Sequence, residues 1–165
     1  MELKSSFVTP KGQVIDVVYH EDKDPLLDME GKTMQAVHGF CFCGDKMVLV
    51  KHPTEGWMPP GGSIDEGETY EEALVREVKE ETNMKVLSHE LIGFQDVNDG
   101  GRVLRQTRSY CVVEPYGDFV ADPDGDISEI ILIDPKDYKR YFDWGVVGDR
   151  VMEQAIKKHL KCACG

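Results

Sequence analysis

The stretch that most constrains the fold is residues 56–84, because a glycine-rich loop there leads directly into one strongly marked helix. Thr69 and Glu72 form the T-x-x-E pattern of a capping box, which places the N-cap of the helix at Thr69. No Gly or Pro interrupts residues 70–82, and Asn83 follows where a left-handed residue usually ends a helix. The pattern therefore predicts one uninterrupted helix.

Acidic side chains occupy the face of this helix that should be buried. At about 100° per residue, the apolar stripe consists of Tyr70, Ala73, Leu74 and Met84. Glu77 and Glu81 fall inside the stripe, and Glu80 lies on its edge. Unpaired charges beside a core are costly, so a cation is expected among them. Arg76 can balance one charge, and the other carboxylates predict a metal ion, for which all-oxygen ligands favour Mg²⁺ or Mn²⁺ over zinc.

The loop before the helix is suited to binding a ligand. Pro59 and Pro60 stiffen it, whereas Gly61 and Gly62 let the backbone approach a bound group closely. Such a loop can offer a carbonyl to a metal ion or amides to a phosphate. Each feature alone is common, and the fixed spacing between loop and acids is what makes the pattern informative.

The segment Gly62–Met84 resembles the Nudix box of the Nudix hydrolases. The family pattern is Gly, five residues, Glu, seven residues, then Arg-Glu-aliphatic-x-Glu-Glu-x-Gly-aliphatic. The sequence GSIDEGETYEEALVREVKEETNM matches it everywhere except at Asn83, where the family has Gly. Both residues accept a positive φ, so this difference is predicted to affect only the end of the helix. The lead-in WMPPGG, which begins at Trp57, also resembles that of the family.

The resemblance implies an α/β fold, namely a Nudix-like α/β/α sandwich with a mixed β-sheet between helices. The implied metal ligands are the carboxylates of Glu77, Glu80 and Glu81 and the carbonyl of Gly62. Arg76 would orient these carboxylates, with Glu68 as its partner. One of the box glutamates, or Glu129 outside the box, would accept a proton from the attacking water.

The implied activity is hydrolysis of a phosphoanhydride bond in a nucleoside diphosphate linked to another moiety, with Mg²⁺ or Mn²⁺ as cofactor. Two alternatives stay open: a catalytically silent Nudix-fold nucleotide-binding or sensor module, and a cation-binding structural protein. Specificity depends on loops outside the box. ADP-ribose-like sugars, oxidised nucleoside triphosphates, dinucleoside polyphosphates and capped RNA ends therefore all stay open as substrates.

Net charge and chain length limit the kinds of partner that the protein is expected to bind. A net charge of −12 disfavours stable binding of nucleic acid and makes long RNA the least favoured substrate. The 165 residues are expected to form a single domain, residues 1–165, which binds a small molecule as a monomer or homodimer. No apolar run resembles a signal peptide or approaches about 18 residues, so a cytoplasmic location without a membrane partner is expected.

Apolar periodicity and turn residues predict the remaining elements. The predicted strands are 14–20, 33–43, 46–51, 85–97, 102–114 and 127–133. A short helix or turn is predicted over residues 135–144, and a final helix is predicted from an N-cap at Asp149 to Leu160. Residues 115–128 are interpreted as a solvated acidic loop or a substrate lid. The acids of that loop are Asp118, Asp122, Asp124 and Asp126.

Substrate contacts are predicted near the glycine loop. Gly61, Lys51 and Trp57 are candidates because they lie in or close to that loop in sequence. Trp57 either stacks on a base or closes the loop against the core. Arg108 is the best candidate for binding a phosphate, although a surface arginine is the simpler interpretation. His38 lies in an apolar strand and is interpreted as a satisfied core histidine.

Two further sets of residues carry weaker signals. Glu129 shares a strand face with Ile127 and Ile131, so burial is expected to raise its pKa. The pairs Cys41/Cys43 and Cys162/Cys164 do not have the usual zinc-site spacing. Reduced and mostly buried thiols are predicted at Cys41, Cys43 and Cys111.

Overall fold

The computed structural model describes residues 1–121 and 126–164, with side chains as far as Cys162. Asp122, Asp124 and the side chain of Cys164 therefore lie outside the described residues. The helices are α1 (Tyr70–Thr82), a 3₁₀ helix (Pro135–Arg140) and α2 (Gly145–Cys164). The strands are β1 (Glu2–Val8), β2 (Val14–His20), β3 (Lys32–Cys43), β4 (Lys46–His52), β5 (Gly56–Met58), β6 (Gly61–Ser63), β7 (Met84–Asp99), β8 (Arg102–Pro115) and β9 (Ile130–Ile133).

One mixed sheet organises the described part of the chain. Its strands run in the order β1-β2-β7-β8-β3-β4-β5, with β6 paired to β3 and β9 paired to β4. The β3–β8 pair is parallel, and the other pairs are antiparallel. Helix α1 covers one face through a core that includes Val37 and Leu74, whereas α2 covers the opposite face through Phe40 and Met152. The predicted α/β/α sandwich with a mixed sheet between helices is confirmed.

Most of the predicted elements are present, and the differences have local causes. No strand is predicted before Val14, yet β1 pairs with β2 along its whole length. As an edge strand with mostly exposed side chains, β1 lacks the apolar alternation that identifies a half-buried strand. The loop before α1 likewise contains two very short strands, β5 and β6, whose three residues each are too few to show a period.

Two boundaries near the C-terminus are wrong in the sequence prediction. The last strand begins at Ile130, so Ile127 is buried without belonging to it. Helix α2 begins at Gly145, four residues before the predicted N-cap at Asp149. The prediction missed this first turn because it contains two glycines, which are unfavourable in a helix. Asp149 consequently lies inside α2, where it accepts a hydrogen bond of 2.6 Å from the Tyr138 hydroxyl. Within the described residues, no helix combines the length and apolarity needed to cross a membrane.

A buried ion pair fixes the chain between β2 and β3. Arg105 of β8 is 2% exposed and donates from Nε and Nη2 to the Asp96 carboxylate at 2.8 and 3.0 Å. Its Nη1 donates to the carbonyls of Pro25 and Leu27 at 2.7 and 2.6 Å. Lys32 adds a second cation 3.2 Å from Asp96. One guanidinium thus binds both the sheet and the loop beside it.

Replacing Arg105 with Gln should lower the free energy of unfolding by about 3 kcal/mol or more, because Asp96 loses its bidentate partner in a buried setting. Urea unfolding of wild type and Arg105→Gln measures the difference. The matched control is Arg102→Gln, an exposed arginine on the same strand whose side chain is 73% accessible; its effect should stay within about 0.5 kcal/mol. Equal stability of the two variants would contradict this account of the ion pair.

Candidate active site

Helix α1 begins and ends as its sequence predicts. Thr69 accepts from the Glu72 N–H while the Glu72 side chain accepts from the Thr69 N–H, which completes the capping box. Asn83 has φ 54° and ψ 38°, the left-handed conformation of a helix end. Leu74 and Val78 are buried against the sheet, and this packing sets the rotation of the helix that carries the acids.

The Arg76 guanidinium lies at the centre of the acidic cluster. Its Nε and Nη2 donate to the Glu68 carboxylate at 2.8 and 2.9 Å. Its Nη1 donates to Glu77 at 3.0 Å and to Glu80 at 3.2 Å, and its Nη2 also reaches the Ser63 carbonyl at 3.0 Å. The guanidinium, aided by the backbone N–H of Asp65, lowers the pKa of Glu68 to about 2. Arg76 therefore balances part of the acidic charge, as the sequence predicts.

The glycine loop contacts the acids directly. The Gly61 N–H donates to Glu81 Oε1 at 2.7 Å. A Cβ on Gly62 would lie 2.6 Å from the Glu77 carboxylate, so only glycine leaves room for that acid. Glu81 is 7% exposed. The predicted burial at the end of α1 is thus observed for Glu81, whereas Glu77 and Glu80 are half-buried.

The strand ladder distinguishes the two glycines. Gly39 N donates to Pro60 O and Ile64 N donates to Gln35 O, each across the β3–β6 pair. Bonded pairs alternate along an antiparallel ladder, so Val37 and Gly62 form the bonded pair between them. The peptide groups of Gly62 therefore face β3, whereas the Gly61 N–H points away from β3 and towards α1.

The donor set has the chemistry of a site for a hard divalent cation. Three carboxylates and a backbone loop supply oxygen ligands only, which suits Mg²⁺ or Mn²⁺. Among the residues that the structure describes, no three His, Cys, Asp or Glu side chains already surround a common point. The carboxylates instead bind Arg76 and the Gly61 amide, so a cation would have to draw them away from these partners.

A cleft of about 810 Å³ lies beside the loop, on the face of the sheet that α2 covers. That volume falls in the range of small-molecule sites. Its lining includes His38, Glu55, Trp57, Met58, Gln95, Gln106, Arg108, Phe142, Asp143 and Trp144. Trp57 is half-buried and also packs against the core, so both functions predicted for it are compatible with its position.

Arg108 is not the surface arginine that the simpler interpretation predicts. It is 5% exposed, and its Nη1 lies 3.2 Å from His38 Nδ1. Burial and the charge of Arg108 lower the pKa of His38 well below its ordinary value, so the neutral ring accepts this hydrogen bond. His38 is therefore satisfied, but it borders the cleft and not only the core.

Two other candidates lie away from the cleft. The Glu129 side chain is 58% accessible, so the prediction that this acid is buried is wrong. Strand β9 begins only at Ile130, so Glu129 precedes the strand and its carboxylate is exposed to solvent. Glu129 lies 3.7 Å from the Nζ of Lys51. Lys51 is exposed, with its Nζ 5.8 Å from the centre of the Trp57 ring, and it is not among the residues that line the cleft.

Sequence reasoning missed the amide groups and the second tryptophan of the cleft. Gln95 Nε2 donates to Gln106 Oε1 at 2.9 Å, and Gln106 Nε2 donates to Gln35 Oε1 at 2.8 Å. Gln106 shares a strand face with Arg108, which is a signal the sequence contains. Nothing in the sequence places Trp144 there, because it follows the 3₁₀ helix and reaches the cleft only through the packing of α2.

The cysteine prediction holds for the described thiols. Cys41 and Cys111 are fully buried, Cys43 is half-buried and all three are free thiols. Cys41 and Cys111 are direct neighbours across the β3–β8 pair.

A glycine loop set against an acid-bearing helix, on an α/β/α sandwich, defines the Nudix class of proteins. The model of the NUDIX domain family matches residues 32–154, and the chain belongs to this family. The matched region contains the complete loop, α1 and the cleft-lining segments from β3 to the start of α2.

Two relatives from Bacillus subtilis (strain 168) match part of the chain. The putative 8-oxo-dGTP diphosphatase YtkD is 43% identical over 53 residues, which is 32% of this chain and 34% of that protein. The uncharacterized Nudix hydrolase YvcI is 29% identical over 72 residues, which is 42% of this chain and 46% of that protein. The chain thus matches less than half the length of either relative.

Solved structures share the fold over a longer span. A mutant of the Bacillus subtilis pyrophosphohydrolase BsRppH has a TM-score of 0.73 at 23% identity, covering 94% of this chain and 97% of that chain. The NUDIX domain of Shewanella oneidensis NrtR, crystallised with ADP ribose, has a TM-score of 0.61 at 18% identity, covering 83% and 94%. These likenesses establish the fold.

Asn83, the one departure from the box, has a role beyond ending α1. Its side-chain Nδ2 donates to the Asp118 carbonyl at 2.8 Å, and its own carbonyl accepts from the Tyr116 N–H at 3.0 Å. Phe119, next to Asp118, packs against the cluster that contains Met58, just before the glycine loop. The prediction that position 83 affects only the helix end is therefore incomplete.

Asn83→Gly should keep the helix end but lower the free energy of unfolding by about 0.5–1 kcal/mol, because one side-chain hydrogen bond is lost. Asn83→Asp is the matched variant, since it keeps the shape and removes the donor. Faster amide hydrogen exchange at residues 116–121 in both variants would locate the effect. Wild-type exchange in both would show that this hydrogen bond does not hold the segment.

Proposed function

We propose that this protein is a divalent-cation-dependent hydrolase that cleaves a phosphoanhydride bond in a nucleoside diphosphate linked to another moiety. The observation that carries the proposal is the convergence of the α1 glutamates on the Gly61–Gly62 loop, beside a cleft of small-molecule size. Membership of the NUDIX domain family supports it. The names of two similar proteins, a putative 8-oxo-dGTP diphosphatase and a pyrophosphohydrolase, agree with a phosphoanhydride as the target bond.

The proposed cation ligands are the carboxylates of Glu77, Glu80 and Glu81. For the backbone ligand we favour the Gly61 carbonyl over that of Gly62, because the Gly62 peptide groups are engaged with β3. A cation bound there would neutralise phosphate charge and acidify the attacking water. Arg76 would keep its bidentate pair with Glu68 and so hold the loop against α1 while the other acids turn to the cation.

In the proposed reaction, water attacks a phosphorus atom and the anhydride P–O bond breaks. The departing phosphate takes the electron pair of that bond, and a box glutamate accepts the proton of the water. Glu129 is less suited to this role than the box glutamates, because it is exposed and lies beside Lys51. Arg108, Trp57 and the Gly61 amide are the proposed contacts for the rest of the substrate.

The test of this function is a panel of nucleoside diphosphate derivatives, nucleoside triphosphates and dinucleoside polyphosphates with Mg²⁺ and Mn²⁺, read out by product identity. Release of phosphate, pyrophosphate or a nucleoside monophosphate that stops on chelation is the expected result. Turnover that survives thorough chelation would refute the cation requirement. Binding without turnover would favour a catalytically silent nucleotide-binding or sensor module; the complete set of box acids argues for the enzyme.

Glu80→Gln should lower kcat on the best substrate by on the order of 10²-fold, because Gln is a poor ligand for a hard cation and cannot accept a proton. Its effect on stability in cation-free buffer should be small, since Arg76 already lies between Glu77 and Glu80. The matched control is Glu71→Gln, an exposed acid in the first turn of α1. An unchanged kcat for Glu80→Gln would remove this carboxylate from the site.

Gly62→Ala should fold but bind Mn²⁺ on the order of tenfold more weakly, because the added Cβ displaces the Glu77 carboxylate that lies 2.6 Å away. The end of the Glu77 side chain can move, so the substitution should lower the affinity for the cation more than it lowers the free energy of unfolding. Mn²⁺ titration followed by the shift in Tm measures the effect. Gly117→Ala, with nothing within 4 Å of the new Cβ, is the control. Equal Mn²⁺ affinity in both variants would contradict a Glu77 ligand.

A further inference from the structure

The lining of the cleft carries little positive charge. Among its lining residues in the described part of the chain, Arg108 is the sole Lys or Arg, whereas Glu55 and Asp143 are acidic. A chain of phosphates bound in the cleft would need several cations to balance its charge. The cleft is therefore better suited to an uncharged part of a substrate than to its phosphates.

Arg108 has spare hydrogen-bond donors in this cleft. Nη1 donates to His38 Nδ1 at 3.2 Å and to the Thr107 carbonyl at 3.1 Å, and Nη2 donates to Gln106 Oε1 at 3.3 Å. Three of the five N–H groups are thus used. The Nε–H and one Nη2–H have neither an acceptor nor a carboxylate partner among the described residues. Arg108 lines the cleft, so a ligand there that supplies acceptors can pair with these two donors.

Aromatic rings flank this guanidinium. The centre of the Trp144 ring lies 5.2 Å from Arg108 Cζ, and the ring of His38 meets Trp144 edge-on at 5.1 Å. Trp57 lines the same cleft. Aromatic faces beside planar donors are a common means of holding a nucleobase.

The acids and Arg108 lie on opposite faces of the sheet. Gly62 faces Glu77 on the α1 side, whereas Gly61 pairs with His38, whose ring borders the cleft on the α2 side. His38 in turn pairs with Arg108 on the next strand. A substrate whose diphosphate lies at the glycine loop would therefore extend its base, rather than its phosphates, towards Arg108.

We propose that Arg108 recognises the base of the substrate and that this base is a 6-oxopurine. The inference rests on the proposed function. The O6 and N7 atoms of a 6-oxopurine are two adjacent acceptors, which the donors of one guanidinium match. Adenine places a 6-amino donor beside N7, so one Arg108 donor would face another donor. The cleft thus selects guanine or hypoxanthine over adenine.

Binding in the absence of catalysis tests this selection. The two tryptophans of the sequence are Trp57 and Trp144, and both line the cleft, so intrinsic fluorescence reports its occupancy. The titrants are GMP, IMP, AMP and pyrophosphate in buffer with a chelator, with calorimetry as an independent readout. GMP and IMP should bind on the order of tenfold more tightly than AMP, and pyrophosphate should not displace GMP. AMP binding as tight as GMP binding would overturn the proposal.

Variants separate base recognition from charge. Arg108→Gln and Arg108→Lys should both lose the preference for GMP over AMP, because Lys keeps the charge but not the paired donors. Arg102→Gln, on the same strand and exposed, should keep the preference. If Arg108→Gln weakened GMP, AMP and pyrophosphate equally while Arg108→Lys restored all three, Arg108 would bind phosphate and the proposal would fail. The comparison of ligands on wild type decides the case even if a variant does not fold.

Failure of this inference is distinguishable from failure of the proposed function. Cation-dependent hydrolysis with no preference among bases would overturn the 6-oxopurine and leave the hydrolase in place. Selective GMP binding with no hydrolysis of any guanine nucleotide would overturn the proposed hydrolase and leave the recognition of a 6-oxopurine in place.

Discussion

The site depends on one guanidinium, that of Arg76. Carboxylates at i,i+3 and i,i+4 on a helix repel one another, and Arg76 offsets this by contacting Glu77 and Glu80 together. Because it also binds Glu68 and the Ser63 carbonyl, the same group joins the glycine loop to α1. The acids can therefore lie close together in the folded protein before any metal cation binds. The positive group that they need, the Arg76 guanidinium, also holds the glycine loop in position.

The two faces of the sheet carry different parts of the site. A row of neighbouring residues crosses three strands, from Gly61 on β6 through His38 on β3 to Arg108 on β8. The acids lie on the α1 side, where their negatively charged carboxylates are suited to binding a cation. On the α2 side lies a cleft with aromatic rings, amides and one arginine. The loop at β6 is the point where these two environments meet.

Local rules explain why α1 was predictable and the cleft was not. The capping box, the uninterrupted helix and the left-handed Asn83 are each set by residues a few positions apart, and all of them occur as the sequence predicts. The burial of Arg108 depends on the register of β8 against β3, and the exposure of Glu129 depends on where β9 begins. Pairings between distant segments decide such features, and one sequence contains no direct signal for them.

The parallel β3–β8 pair has a consequence for how the molecule folds. Strands β7 and β8 are joined by the turn at Gly100 and Gly101, so their hairpin needs only local contacts. His38 and Arg108 are 70 positions apart in the chain, and closing so long a loop costs entropy before any contact repays it. We therefore expect the hairpin to form first and β3 to join it later. Since the cleft and the backing of the glycine loop both require β3, a partly folded chain with the hairpin alone has its two longest strands in place but no site.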